Sequence, residues 1–160
     1  MRIFIFFLSF ILMACGFSPA HAYEDLPLPR FVSIKSAEAN MRTGPGKRYP
    51  IKWLITRKNL PVEITSEFEQ WRKIRDMAGD EGWIHQSMLS SSRFGIIQTG
   101  PVTLHRTDSV SSRPVAKLDT GVIAKLKACE KDWCEVEVGE ISGWTPRGEL
   151  WGIYPQEVLK

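Results

Sequence analysis

This sequence of 160 residues has no apolar stretch long enough to cross a bilayer, and nothing in it reads as a long amphipathic helix. It also lacks an excess of one charge. The 21 Lys and Arg residues are set against 18 Asp and Glu, so the electrostatic footprint of a nucleic-acid binder is missing and no nucleic-acid partner is expected. Cysteine and histidine are scarce, three of each, which leaves little material for a metal centre, and no cofactor is expected.

What is present begins with an export pattern. Arg2 precedes the apolar run Ile3 to Ala14, followed by Gly16, Ser18, Pro19 and Ala20-His21-Ala22. As a helix the run reaches roughly 18 Å, short of the ~30 Å hydrocarbon core. Together with the small side chains Ala20 and Ala22, this predicts a signal peptide over residues 1–22, cleaved before Tyr23, and a periplasmic or secreted product. Leu12-Met13-Ala14-Cys15 offers an alternative, acylation of Cys15 and a membrane-anchored lipoprotein. Cleavage at Tyr23 removes only the charge of Arg2, so the product stays near neutral and carries no transmembrane segment.

Two cysteines then remain, Cys129 and Cys134, bracketing the polar turn Glu130-Lys131-Asp132-Trp133. In an oxidising compartment a hairpin disulfide is favoured. Strict strand alternation places the two on opposite faces, so the pairing requires a bulge or strong twist at the turn. Zinc is the alternative, with only His85 and His105 to complete four ligands.

From residue 31 onward, short apolar runs alternate with turn signals about every ten residues, the rhythm of a small all-β protein. Strands are expected over residues 31–35, 39–42, 51–55, 61–65, 71–75 and 82–85, and again over 96–98, 102–105, 115–118, 122–128, 133–138 and 143–145. The halves repeat. Asn40-Met41-Arg42 matches Thr103-Leu104-His105, Trp71 matches Trp133, Glu81-Gly82-Trp83 matches Ser142-Gly143-Trp144, and Leu89 matches Leu150, at offsets of 61 to 63 residues. The organisation expected is a linker at residues 23–30, a first barrel at 31–92, and a second barrel with a C-terminal extension at 93–160.

Ala39-Asn40-Met41-Arg42-Thr43-Gly44-Pro45-Gly46, followed by Tyr49-Pro50-Ile51, resembles the N-V-R-x-G-P-S stretch of bacterial SH3-like (SH3b) domains. Trp71-Arg72-Lys73-Ile74 and Glu81-Gly82-Trp83-Ile84 are similar to that family's W-x-x-V and G-W-V strands. The second half keeps Trp133-Cys134-Glu135-Val136 and Gly143-Trp144-Thr145 but reads His105-Arg106-Thr107-Asp108 where the Arg-x-Gly-Pro element stands in the first. Cys129, Cys134 and the Leu150-Trp151-Gly152 ending resemble an exported, two-domain proteobacterial subfamily. The resemblance implies tandem SH3-like β-barrels of about five or six strands each, non-catalytic, that recognise peptidoglycan stem peptides or extended protein segments.

Ligand contacts are expected from Arg42, Tyr49, Trp71, Trp83 and Trp133, because aromatic rings supply contact area at low entropic cost and a guanidinium can clamp a carboxylate. The competing roles are structural. Arg42 can pair with Glu38 or Glu69, Trp83 and Trp144 can pack between strands, and Trp133 can cover a barrel edge. Trp151 and Tyr154 are expected to pack on the second barrel or between the two. A papain-like peptidase needs a cysteine with a nearby histidine; Cys15 leaves with the signal and Cys129 and Cys134 consume each other, so no enzyme is expected.

Overall fold

The computed structural model describes residues 26–160. The expected signal peptide, the expected cleavage before Tyr23 and the alternative acylation at Cys15 lie outside the described residues. Seven strands form a first antiparallel sheet: β1 (Arg30–Ile34), β2 (Ala39–Arg42), β3 (Ile51–Ile55), β4 (Pro61–Phe68), β5 (Trp71–Arg75), β6 (Glu81–His85) and β7 (Leu89–Ser90), in the order β3-β2-β6-β5-β4-β1-β7. Seven more repeat that order: β8 (Phe94–Ile97), β9 (Val102–His105), β10 (Pro114–Leu118), β11 (Ile123–Glu130), β12 (Trp133–Val138), β13 (Ile141–Pro146) and β14 (Leu150–Trp151). The fold is all-β, two tandem SH3-like units, with every expected strand present and small shifts at the ends. Each sheet has more strands than the resemblance implies, because β7 and β14, two residues each, follow single 3-10 turns and are too short to show a period.

Alternation explains the core. Ile74 and Ile84 point inward from β5 and β6 to meet Ile34, Ala39, Met41, Val62 and Ile64; the second half's hydrophobic cluster has eleven buried residues, including Leu104, Leu126, Val136, Leu150 and both cysteines. Gly82 is required by this packing, since a Cβ there would lie 2.5 Å from Met41 Cγ. The long strand β4 pairs with β1 through Pro61 to Ile64 and with β5 onward to Phe68, with a bulge between Ile64 and Ser66. A strand bent in this way serves both neighbours and curls the sheet around its core.

The equivalent bulge in β11, between Leu126 and Ala128, resolves the disagreement over the cysteines. The extra residue switches the face of everything after it, so Cys129 turns inward directly opposite Cys134, and the two are disulfide-bonded and fully buried. Cys134 stands at the position of Arg72 in the first half. There the Arg72 guanidinium, also buried, donates to the Glu69 carbonyl at 2.8 Å in the β4–β5 turn. In the second half Arg147 does that task from the 3-10 turn after β13, its Nε donating to the equivalent Lys131 carbonyl at 2.7 Å. Arg147 Nη1 also reaches the carbonyls of Tyr154 (2.7 Å) and Glu157 (2.6 Å), and so docks the C-terminal extension.

That extension lies between the halves. Phe31 of β1 meets Trp151 edge-on at 5.0 Å and Tyr154 at 4.7 Å. The Tyr154 hydroxyl donates to Glu63 Oε1 at 2.7 Å, and the other oxygen of this buried carboxylate accepts from Arg75 Nε at 3.0 Å. Burial, then the bond to the Glu63 carboxylate, pushes the Tyr154 hydroxyl well above the ordinary tyrosine range.

Candidate functional site

Strands β2 and β6 touch at one paired position, Arg42 opposite Trp83. Past it they diverge, and the opening is a groove of ≈ 340 Å³. Asn40 and Arg42 line it from β2, His85 from β6 and Trp71 from β5; Glu38, Lys47, Ser87 and Met88 complete the rim. Trp71 and His85 are cross-strand partners whose rings meet edge-on at 5.4 Å. The groove thus has one aromatic wall and one wall of amide and guanidinium groups, a surface suited to an extended chain with both apolar and polar atoms.

Each ring is fixed from behind. Arg72 Nη1 binds the Trp71 carbonyl at 3.1 Å, its Nη2 binds Gln86 Oε1 at 2.7 Å, and its Nε pairs with Glu67 at 3.0 Å. His85 Nε2 lies 3.0 Å from Gln70 Oε1, while Nδ1 lies 2.7 Å from Ser87 Oγ and accepts from Ser87 N at 3.3 Å. The last contact caps the 3-10 turn Gln86–Met88. Gln70 is uncharged, so it orients the imidazole without stabilising an imidazolium as the carboxylate of a catalytic triad does.

Of the residues expected to contact ligand, Arg42 and Trp71 line the groove, and Tyr49, Trp83 and Trp133 do not. Arg42 pairs with neither Glu38 nor Glu69; its Nη1 donates to the carbonyls of Lys47 (3.1 Å) and Tyr49 (2.8 Å), holding the loop from residue 43 to residue 50. Tyr49 props that loop from beneath, under Gly44, with Arg48 over its ring at 5.1 Å. Trp83 is half-buried on the outer face, packed between its cross-strand partners Arg42 and Lys73. Trp133 faces outward, as its alternation with buried Cys134 and Val136 requires, and its ring meets His105 edge-on at 5.9 Å.

The second half keeps the frame and changes the lining. β9 and β13 also touch at one position, His105 opposite Trp144, and a cavity of ≈ 410 Å³ opens beside them, lined by Thr103, His105, Pro146 and Glu149 among others. Pro146 stands where His85 does, and no aromatic ring except His105 lines it. His105 replaces Arg42 in holding its loop, Nδ1 lying 3.1 Å from the Ser112 carbonyl. Sequence reading missed Asn40 and His85 as groove residues, although the alternation of Trp83 and His85 along β6 puts both on the outer face.

A family model described as bacterial SH3 domain matches residues 35–91 and 105–152. No curated protein matches the chain. Among solved structures, NlpC2 from Trichomonas vaginalis is similar at 8% identity and a TM-score of 0.36, covering 79% of this chain and 49% of that one. NlpC1 from Trichomonas vaginalis is similar at 9% identity and a TM-score of 0.37, covering 81% and 48%. The chain spans about half the length of both.

Proposed function

The chain belongs to the bacterial SH3 domain family, and from that premise we propose that it is an exported, non-catalytic binding protein of the cell envelope. Its two units, residues 31–92 and 93–160, divide the work: the first recognises an extended peptide, either a peptidoglycan stem peptide or a periplasmic protein segment, and the second supports it. The observation that carries this reading is the groove between β2 and β6, where Trp71 and His85 face Asn40 and Arg42. Its second-half counterpart has Pro146 in place of His85 and is not lined by Trp133.

The non-catalytic reading is supported by the chemistry of the candidate nucleophiles. Cys129 and Cys134 are bonded to each other, and the Ser87–His85 contact is a turn cap with an uncharged third member.

Sedimentation with insoluble cell wall tests the ligand class. Wild-type protein pelleting with the wall, and Trp71→Ala staying in the supernatant, is the expected result. If both stay in the supernatant, the wall is not the ligand and the groove takes a protein segment, which makes the chain an assembly protein of the envelope. Release of soluble muropeptides by a variant lacking both cysteines and His85 and His105 would overturn the non-catalytic reading.

A further inference from the structure

Between Glu38 and Glu63 the chain carries no acidic residue and six basic ones: Arg42, Lys47, Arg48, Lys52, Arg57 and Lys58. The near-neutral total hides this segment. At its centre is β3, an end strand of the first sheet, whose apolar residues are not covered: Ile51, Trp53 and Leu54 are 51%, 52% and 53% exposed. Edge strands that show apolar side chains are ordinarily blunted or covered. Here the exposure extends to both faces, since Trp53 lies opposite inward-facing Met41, while Leu54 and Ile51 lie opposite outward-facing Asn40 and Arg42.

The second half is an internal comparison. β10 begins with Pro114 and exposes one large apolar side chain, Val115, and its flanks carry Asp108 and Asp119. The basic, apolar edge therefore belongs to the first half alone and is not a property of the repeat.

We propose that β3 is a docking edge for an anionic lipid surface. Charge selects the partner. A second copy pairing β3 to β3 brings Lys47, Arg48, Lys52, Arg57 and Lys58 against the same five cations, whereas an anionic bilayer attracts all of them. Lys52 is partly engaged, 3.0 Å from the Glu81 carbonyl and 3.7 Å from Asp80, but Lys47 and Lys58 stand exposed toward the two ends of the strand. Shape selects a surface over a strand: an added peptide strand covers the edge and leaves both faces of β3 in water, while headgroups and upper acyl chains close over both faces at once. Trp53 has the amphipathic ring favoured at that depth, and the cations reach back to the phosphates from long stems.

Because the run Ile3 to Ala14 can itself associate with lipid, the readout must be local to Trp53. The full chain is mixed with phosphatidylglycerol vesicles brominated high on the acyl chain, and tryptophan quenching is recorded. Quenching is expected with these vesicles and not with phosphatidylcholine, and it should be lost largely in Trp53→Phe. Lys58→Ala should weaken it about fivefold, and rising salt should reverse it. Ile51→Ser with Leu54→Ser gives a second test that leaves the fluorophore in place. Equal quenching in wild type and Trp53→Phe overturns the proposal. So does a Trp53 that ignores vesicles but responds to an acidic peptide, or to inorganic phosphate alone.

Discussion

The Tyr49 ring fills the space that a side chain at Gly44 would need: a Cβ there would lie 2.5 Å from Tyr49 Cδ1. In the second half the equivalent pair is Thr107 and Ser112, and Thr107 N donates to Ser112 Oγ at 2.9 Å. The loops are otherwise alike. Thr43 N bonds to the Pro50 carbonyl at 3.0 Å as Arg106 N bonds to that of Arg113 at 2.9 Å, and Tyr49 N and Ser112 N close the same inner turn. Gly44 is thus set by the ring beneath it and not by the backbone path.

Gly44→Thr alone is expected to cost about 1–3 kcal/mol through overpacking. Adding Tyr49→Ser should recover part of that loss, a coupling of at least about 0.5 kcal/mol in a urea-unfolding double-mutant cycle. Strictly additive effects would show that the ring and the glycine are independent.

Trp71 and Trp133 are sequence equivalents with unequal surroundings: both rings meet a histidine edge-on, but Trp71 lines the first-half groove and Trp133 does not line the second-half cavity. Trp71→Ala should weaken peptide binding by about 2 kcal/mol, roughly 30-fold. Trp133→Ala should leave it within about 0.5 kcal/mol of wild type. Calorimetric titration with whichever peptide the sedimentation assay identifies distinguishes the two; equal losses would mean that both halves bind.

Tyr154 joins the halves through buried Glu63, which also serves Arg75. Tyr154→Phe removes one donor from a buried carboxylate and should cost about 1–3 kcal/mol. With Phe31→Ala added, the single thermal transition expected of the wild type should separate into two by calorimetry. One transition in the double variant would mean that the halves are coupled elsewhere.

The Cys129–Cys134 bond closes a short loop of sequence separation 5, so its effect through the unfolded chain is modest, about 2 kcal/mol. Replacing both cysteines with alanine should lower the unfolding free energy by about that amount, read from urea unfolding of the single transition. Mass spectrometry of the untreated protein should find the pair two protons lighter.

Acid should loosen the C-terminal extension. Burial opposes ionisation of Glu157, but the Arg93 guanidinium and the Tyr154 N–H outweigh it and hold the carboxylate below the ordinary range. A depressed folded pKa contributes stability that is complete above the unfolded value, about 4.3, and is lost as pH falls toward the folded one. Stability is therefore expected to fall below about pH 4.3. In Arg93→Met that fall should be smaller, as followed by Trp151 emission.

Hydrophobic alternation and turn residues were enough to locate twelve of the strands and the repeat, because a half-buried strand writes its period directly into the order of side chains. The groove was half legible. Trp71 and Arg42 stood out by residue type, but Asn40 and His85 enter it only because β2 and β6 part after one pair, and strand divergence has no local signature. The exposed edge at β3 was hidden for a related reason: the expected strand over residues 51–55 carries no sign of its place in the sheet, and only the strand order puts it at the end.

By itself, the sequence determined the all-β class, the duplication, and the outward direction of Trp133, all properties of period and offset. Tertiary structure decided which face Cys129 takes, since one bulge at Leu126/Ala128 inverts the alternation. It also decided which of two equivalent tryptophans lines a groove, and where Arg147 works in place of Arg72. The physical reason is common to these cases. Which side chain is covered depends on residues of other strands and turns, as Lys131 meets Arg147 and Cys129 meets Cys134, and only folding brings those together.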